Sequence, residues 1–276
     1  MKRFLTAVAL SAAASFSAVA AIAPGTTGDG ELFLVAHDPT AKVSFTYDLG
    51  IRMDAFFVTG QTAGYTQTWA VGADPNWTLF TGQVTAANIR WAVAAIDSTG
   101  SNVTGAQRLF TTVFQNPART QEQIAAGMRN TTNQNFSLGI GATQAGNFFN
   151  AVNSTGTHLP FSDFTLNGSS VNLETDSGRA YFGEAGGLTP NYNGTSTFVS
   201  TNTIGTSSTF YYVTRSSTSQ IGFAVTDIFD GSAGAGTFTF TGDALTYAVP
   251  VPEPTTYGLM ALGLLAIGLK TRRRLS

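Results

Sequence analysis

The chain has no cysteine. Disulfides, thiolate metal centres and a cysteine nucleophile are therefore excluded, even in a compartment that would permit oxidation. Lysine is nearly as scarce. Between the basic start (Lys2, Arg3) and the basic end (Lys270, Arg272, Arg273, Arg274), Lys42 is the only one, and eight basic residues face 16 acidic ones, a net of −8. Such a surface lacks the basic stripe that neutralises phosphates, so no nucleic acid is expected as a partner, and acidic lipid headgroups would repel the body. Without staples, the body of about 230 residues must hold itself together by its own core, which is feasible at this length.

Catalytic constellations are lacking too. The two histidines, His37 and His158, stand beside turn residues, and neither HExxH nor a spaced carboxylate pair accompanies them. Both are expected to be ordinary loop histidines. Asp176-Ser177-Gly178 shares three letters with aspartic proteases, but it lacks the preceding apolar residues, the following hydroxyl and a second copy; it reads as a turn. No GxSxG elbow occurs. Asp227 and Asp230 before Gly231 echo a calcium loop without its alternating carboxylates or terminal Glu. The expectation is a non-enzyme with no cofactor and no metal.

What is present is most legible at the two ends. "MKRFLTAVALSAAASFSAVA" has a basic n-region, an apolar stretch from Phe4 to Ala14, and Ala18-Val19-Ala20 as a small-x-small cleavage pattern. Residues 1–20 are read as a signal peptide cut after Ala20, which implies signal peptidase and an export translocon. A cut after Ala21-Ile22-Ala23 would place Pro24 next to it, where the ring fits poorly.

At the other end, Tyr257 to Leu269 is uncharged. Thirteen helical residues reach about 20 Å, short of a bilayer core of about 30 Å. Thr255, Thr256 and the stem of Lys270 can lengthen the run, and local thinning can cover some of the rest. Arg272, Arg273 and Arg274 then hold the terminus on the cytoplasmic side. A buried C-terminal core helix is the alternative, but Gly258, Gly263 and Gly268 weaken a helix in water, and the run has no polar face. Ahead of it, Pro252 and Pro254 keep the chain extended with Glu253 between them, a stiff charged handle.

Val251-Pro252-Glu253-Pro254, a short hydrophobic helix and the arginine cluster together resemble the PEP-CTERM sorting signal. The resemblance covers residues 250–276. It implies a substrate of an exosortase-type enzyme in a Gram-negative, exopolysaccharide-making bacterium, anchored in the inner membrane before processing and then placed at the cell surface or outside the cell. The same tail is sometimes labelled an ice-binding protein C-terminal domain, which says nothing of what the body binds.

Residues 21–249 are rich in Thr, Ser, Gly and Asn between short apolar runs. "LFLVAHD", "KVSFTYDLGI", "MDAFFVTG", "NWTLFTG", "NIRWAVAAID", "QRLFTTVF", "STFYYVTR", "QIGFAVTDIF", "TFTFTG" and "LTYAV" read as strands. The last two form a hairpin across a Gly242-Asp243 turn, with Phe238 and Phe240 meeting Leu245, Tyr247 and Val249. "RWAVAAIDSTGSNVTGAQRLFTTV" reads as a second pair. Thr120-Gln121-Glu122-Gln123 is a capping box before a helix carrying Ile124 and Met128, and Thr143 to Val152 predicts another, with Phe148 and Val152 on one face. The expected fold is all-β: one β-sandwich-like exported domain with a small helical insertion. Trp69, Trp77 and Trp91 either fill its core or line a sugar-binding face. Seven N-x-S/T triplets, at Asn76, Asn102, Asn130, Asn135, Asn153, Asn167 and Asn193, fit chance in this composition. The expected role is a surface or extracellular-matrix protein of biofilm or exopolysaccharide. The alternative is a carbohydrate-binding module or, less favoured, an ice-binding one, for which "TFTFT" supplies one threonine row.

Overall fold

The structure is a computed structural model and describes residues 21–251 apart from 24, 27, 101–105, 141, 159–167, 177 and 184–200. The chain begins with β1 (Glu31–Asp38), β2 (Val43–Arg52), α1 (Met53–Thr59), β3 (Thr66–Trp69), α2 (Pro75–Thr81), β4 (Arg90–Asp97) and β5 (Arg108–Thr112). A helical stretch follows: α3 (Gln121–Met128), α4 (Asn133–Gly139) and α5 (Ala142–Ser154). Next come β6 (Ser169–Leu173), β7 (Asn202–Thr203), β8 (Ser207–Thr214) and β9 (Val225–Ile228). The small β10–β11 hairpin (Asp230–Gly231, Gly234–Ala235), β12 (Thr237–Phe240) and β13 (Leu245–Ala248) complete the body.

All eight residues of β1 are buried, and seven of the eight in β4 beside it. A strand with one wet face alternates, so unbroken burial means that both faces are covered. Side-chain alternation divides the two covers. Phe33, Val35, Ala92 and Ala94 point to one side, where Ile124, Met128, Phe136, Phe148, Phe149 and Val152 of α3, α4 and α5 pack on them. Leu32, Leu34, Trp91 and Val93 point to the other, where they meet Phe238, Phe240, Leu245, Tyr247 and Trp69 from the far end of the same sheet.

The strands follow one antiparallel path, β3-β13-β12-β8-β5-β4-β1-β2-β6, with β7 on β4 and β9 on β8. The expected pair of sheets is thus corrected to a single sheet that curls over itself. β8 makes the curl: it pairs with β12 through Ser207–Thr209, then with β5 through Phe210–Thr214 and with β9 through Tyr211–Thr214. The helices lie between β5 and β6, as an insertion should, but they form a layer that closes one face of the sheet.

Two expected strands are helices. In α1 only Met53 and Phe56 are buried, at i, i+3 spacing, while Phe57 and Val58 face out. In α2, Trp77 and Phe80 repeat that spacing, Asp74 caps the helix by accepting from the Asn76 amide at 2.8 Å, and Pro75 occupies its first turn. Other expectations hold. The α3 capping box is complete, with Thr120 and Gln123 each bonding the other's amide. Phe148 and Val152 are buried together on α5. The β12–β13 register sets Phe238 against Tyr247 and Phe240 against Leu245, with Gly242 at φ 96° in the turn.

Phe56 sits where the curl closes, within ring-contact distance of Phe210 (5.8 Å), Phe229 (5.5 Å), Phe238 (6.2 Å) and Tyr247 (4.9 Å). Truncation would open a cavity between β8, β12, β13 and α1. Phe56→Ala is expected to lower stability by about 3–5 kcal/mol, and the neighbouring, half-exposed Phe57→Ala by less than half of that. Urea unfolding followed by circular dichroism checks this; equal losses would mean that the cluster does not close the curl.

Candidate functional site

The body hands its chain to the tail through β13, which is held on both edges, by β12 and by β3. Beyond the strand the zip continues: the Val249 amide donates to the Tyr65 carbonyl at 2.9 Å, and the Gly64 amide to the Pro250 carbonyl at 3.2 Å. The buried Tyr247 hydroxyl donates to the Gly60 carbonyl at 2.6 Å, tying the same strand to the end of α1. Gly236 leaves room for that ring, since a Cβ there would lie 1.8 Å from the hydroxyl oxygen. Val251 then stands 71% exposed. The other sequence-predicted residues of the site, Pro252, Glu253, Pro254, Lys270, Arg272, Arg273 and Arg274, lie outside the described residues, as does the leader with Ala18 and Ala20. Among the described residues no helix is long and apolar enough to cross a membrane.

Residues 250–274 match the family model of the PEP-CTERM protein-sorting motif. The tail is a PEP-CTERM sorting signal. It marks an exported protein that is held at the membrane for sorting and then processed by an exosortase-type enzyme. The chain matches no curated protein and no solved structure. The match begins at Pro250, so the PEP-CTERM tail starts where the β13 zip ends.

The start of the body is docked as firmly as its end. Ile22 is buried in the helical-side core. Its amide donates to Asn153 Oδ1 at 3.1 Å, and Asn153 Nδ2 donates to its carbonyl at 3.0 Å. The Ala23 amide donates to Glu31 Oε2 at 2.7 Å. Gly25 passes so close to β4 that a Cβ would fall 1.7 Å from the Ile96 carbonyl oxygen, and its own positive φ of 61° suits glycine.

The candidate chemical residues do not gather. His37 is in the core, not in a loop as the sequence implied: it is the seventh residue of β1, and its ring meets Phe182 edge-on at 5.2 Å. Neither ring nitrogen has a hydrogen-bond partner. Burial, reinforced by the Arg90 charge and opposed by Asp38, pulls its pKa down to about 4. His158 follows α5, its amide bonded to the Thr155 carbonyl. Asp176 accepts from the Leu173 amide at 2.7 Å, within a turn as expected. Asn76 and Asn153 are structural donors, Asn76 bridging α2 to Ser169 on the edge strand β6. Among the described residues no three His, Asp or Glu side chains converge as a metal site requires. Sequence reading missed Asp48. Burial and the neighbouring Glu31 raise its carboxyl to about 7, against the Gly50 amide and Arg52. Nothing in "TYDLG" signals that.

Trp69, Trp77 and Trp91 are all buried, so none offers a ring to a sugar. The outer face near the tail carries a different feature. Register sets Ser207, Thr239, Thr246 and Thr68 side by side across β8, β12, β13 and β3. Their hydroxyls pair at 2.7 Å (Ser207 with Thr239) and 3.3 Å (Thr246 with Thr68). The "TFTFT" alternation implied one strand's share of this row, and Thr246 follows in the same hairpin; Ser207 lies 32 residues from Thr239 and Thr68 lies 178 from Thr246, with no local signal.

His37 and Asp48 oppose each other in pH dependence. Between about pH 4 and 6.5 the unfolded chain takes up the histidine proton that buried His37 refuses, so its contribution falls on acidification. Between about pH 4 and 7 folded Asp48 holds a proton that the unfolded chain has released, so its contribution falls as pH rises. His37→Phe should therefore make the protein more stable at pH 4.5 relative to pH 7.5 than the wild type. Asp48→Asn should act oppositely, with a swing of up to about 4 kcal/mol. Denaturant titrations at both pH values check this, and parallel pH profiles for all three proteins would refute it.

Proposed function

We propose that this chain is a non-enzymatic surface or extracellular-matrix protein. Its body crosses the inner membrane, stays held by the PEP-CTERM tail, and is then released or joined to an envelope acceptor in a biofilm or exopolysaccharide matrix. The observation that carries the reading is the motif at 250–274, set directly after a hydrogen-bonded final strand with no slack between. A hydroxyl-rich, lysine-poor surface and scattered titratable groups favour a structural role over catalysis. In this reading Glu253, between Pro252 and Pro254, is the grip of the processing enzyme, and Arg272 to Arg274 with Lys270 keep the terminus inside.

The leader reading belongs with it. A cut after Ala20 leaves Ala21 as the first residue and keeps Ile22 for the core and for Asn153; a cut after Ala23 would remove both contacts. Intact mass of exported material is expected to begin at Ala21, and a chain beginning at Pro24 would refute this.

A second reading, a carbohydrate-binding module, draws on the Ser207–Thr239–Thr246–Thr68 row, an exposed line of hydroxyls that could face those of a polymer. A glycan array probed with the full body, and again with Thr239→Lys and Thr246→Lys, separates the two readings. Binding that both substitutions abolish would favour the module.

Glu253→Ala is expected to leave the body exported but retained in the inner membrane, by at least about tenfold over wild type in cell fractionation. Normal release would reduce the Pro-Glu-Pro segment to a linker. Replacing Arg272, Arg273 and Arg274 with Ser removes charges that each cost about 2.5–3.5 kcal/mol to bring to the bilayer centre. A tag after Ser276 should become partly digestible by protease added to spheroplasts. Equal protection of both tags would show that the arginines do not set topology.

A further inference from the structure

The exposed apolar side chains fall into separate groups. Ile221 (84% exposed), Phe223 and Val225 alternate outward beside α4, on the helical side of the sheet, and nothing in the structure says what covers them. Phe57 (42%) and Val58 (73%), on the last turn of α1, lie on the opposite side with Val251. These three are joined by the loop after α1. Gln61 Nε2 donates to the Phe57 carbonyl at 2.6 Å, Thr62 Oγ1 to the Val58 carbonyl at 3.4 Å, and a Cβ on Gly64 would touch Val251 at 3.3 Å. The β10–β11 hairpin flanks the same exit, with Gly231 against Gln61 and Gly234 near Pro250.

We propose that this exit face is a docking surface for lipid: while the tail is inserted, the last turn of α1 rests in the interface of the same bilayer. The inference depends on the tail being membrane-inserted. Its physical basis is reach. Five residues separate Val251 from Tyr257, where the uncharged run begins. Fully extended, they span at most about 18 Å, less than the roughly 40 Å across a compact body of this size. The zip at Gly64 and Tyr65 yields no extra chain. The exit face is therefore the part of the body confined at the membrane, and it carries exposed apolar groups.

Charge selects the lipid. Residues 53–73 and 228–251 contain no Lys or Arg and only Asp54, Asp230 and Asp243 as acids. The face thus fits neutral, zwitterionic headgroups and resists anionic ones. Three side chains bury too little area to bind alone. The tether supplies the effective concentration, so cutting the tail frees the body from both anchor and surface.

The absence of cysteine makes the test clean, because Val58→Cys and Ile221→Cys each give a unique labelling site. The full chain carrying an environment-sensitive fluorophore at one position is reconstituted in phosphatidylcholine–phosphatidylethanolamine vesicles and floated. Flotation, with the label at 58 quenched by lipid-borne spin labels at least about threefold more than the label at 221, is the expected result. Adding phosphatidylglycerol should weaken that quenching; strengthening it would overturn apolar docking. Flotation with equal quenching at both positions would overturn the docking face alone. Failure to float would overturn the tail reading and this inference together. Quenching at 58 that appears only when the processing enzyme is co-reconstituted would transfer the face from lipid to enzyme and overturn the proposal.

Discussion

The fold depends on covering both faces of β1 and β4 with one chain. Leu32, Leu34, Phe33 and Val35 are all fully buried, so neither side of this strand pair can remain wet. Three helices, α3, α4 and α5, cover one face. The other face receives only the short helices α1 and α2, through Met53, Phe56, Trp77 and Phe80, and the sheet bends back over its own strands to cover the rest. β8 bends it by changing partners midway, and Phe56 wedges the fold shut against β8, β12 and β13. Ring contacts of this kind contribute about 0.5–1.5 kcal/mol each beyond their buried area. The same closure places β13, and with it Pro250 and Val251, beside the loop after α1.

Legibility in the sequence followed range. The β12–β13 hairpin could be read because its signals sit within 12 residues, and Gly242-Asp243 fixes the register. The α3 capping box was equally local. α1 was missed because "AFFV" has strand composition, and only its burial pattern, Met53 and Phe56 in and Phe57 and Val58 out, betrays the helix. α2 was available: Asp74-Pro75 is a start signal that outranks the aromatic run after it. The curl could not be read, since the partner switch along β8 is a matter of which distant strands meet. His37 was misplaced for a related reason. A histidine before Asp-Pro resembles a strand end, yet the helical-side cover extends over it.

At the site the division is similar. The PEP-CTERM tail is a contiguous signal and was legible in full, whereas its attachment was not. Tyr247 to Gly60 and Val249 to Tyr65 each bridge more than 180 residues of sequence, and no local pattern announces them. The two clasps at the ends of the body are built alike, from backbone groups bonded to distant partners with a large side chain buried beside them. Ile22 and Tyr247 fill these places.

That arrangement bears on how an exported chain folds. β3 is the end strand of the sheet's path, and its one partner there, β13, is the last strand to be made, with Thr68 and Thr246 178 residues apart. β2 likewise waits for β6, and Ile22 waits for Asn153, 131 residues on. Contacts this distant in sequence slow folding, because the loop-closure entropy must be met before the pairing rewards it. A chain threaded through a membrane must stay unfolded until it has crossed. With β13 only a few residues ahead of Pro252, the sheet cannot close before nearly the whole body has emerged. On the proposed topology the tail is then next to enter the bilayer, so completion of the fold and arrival of the anchor coincide.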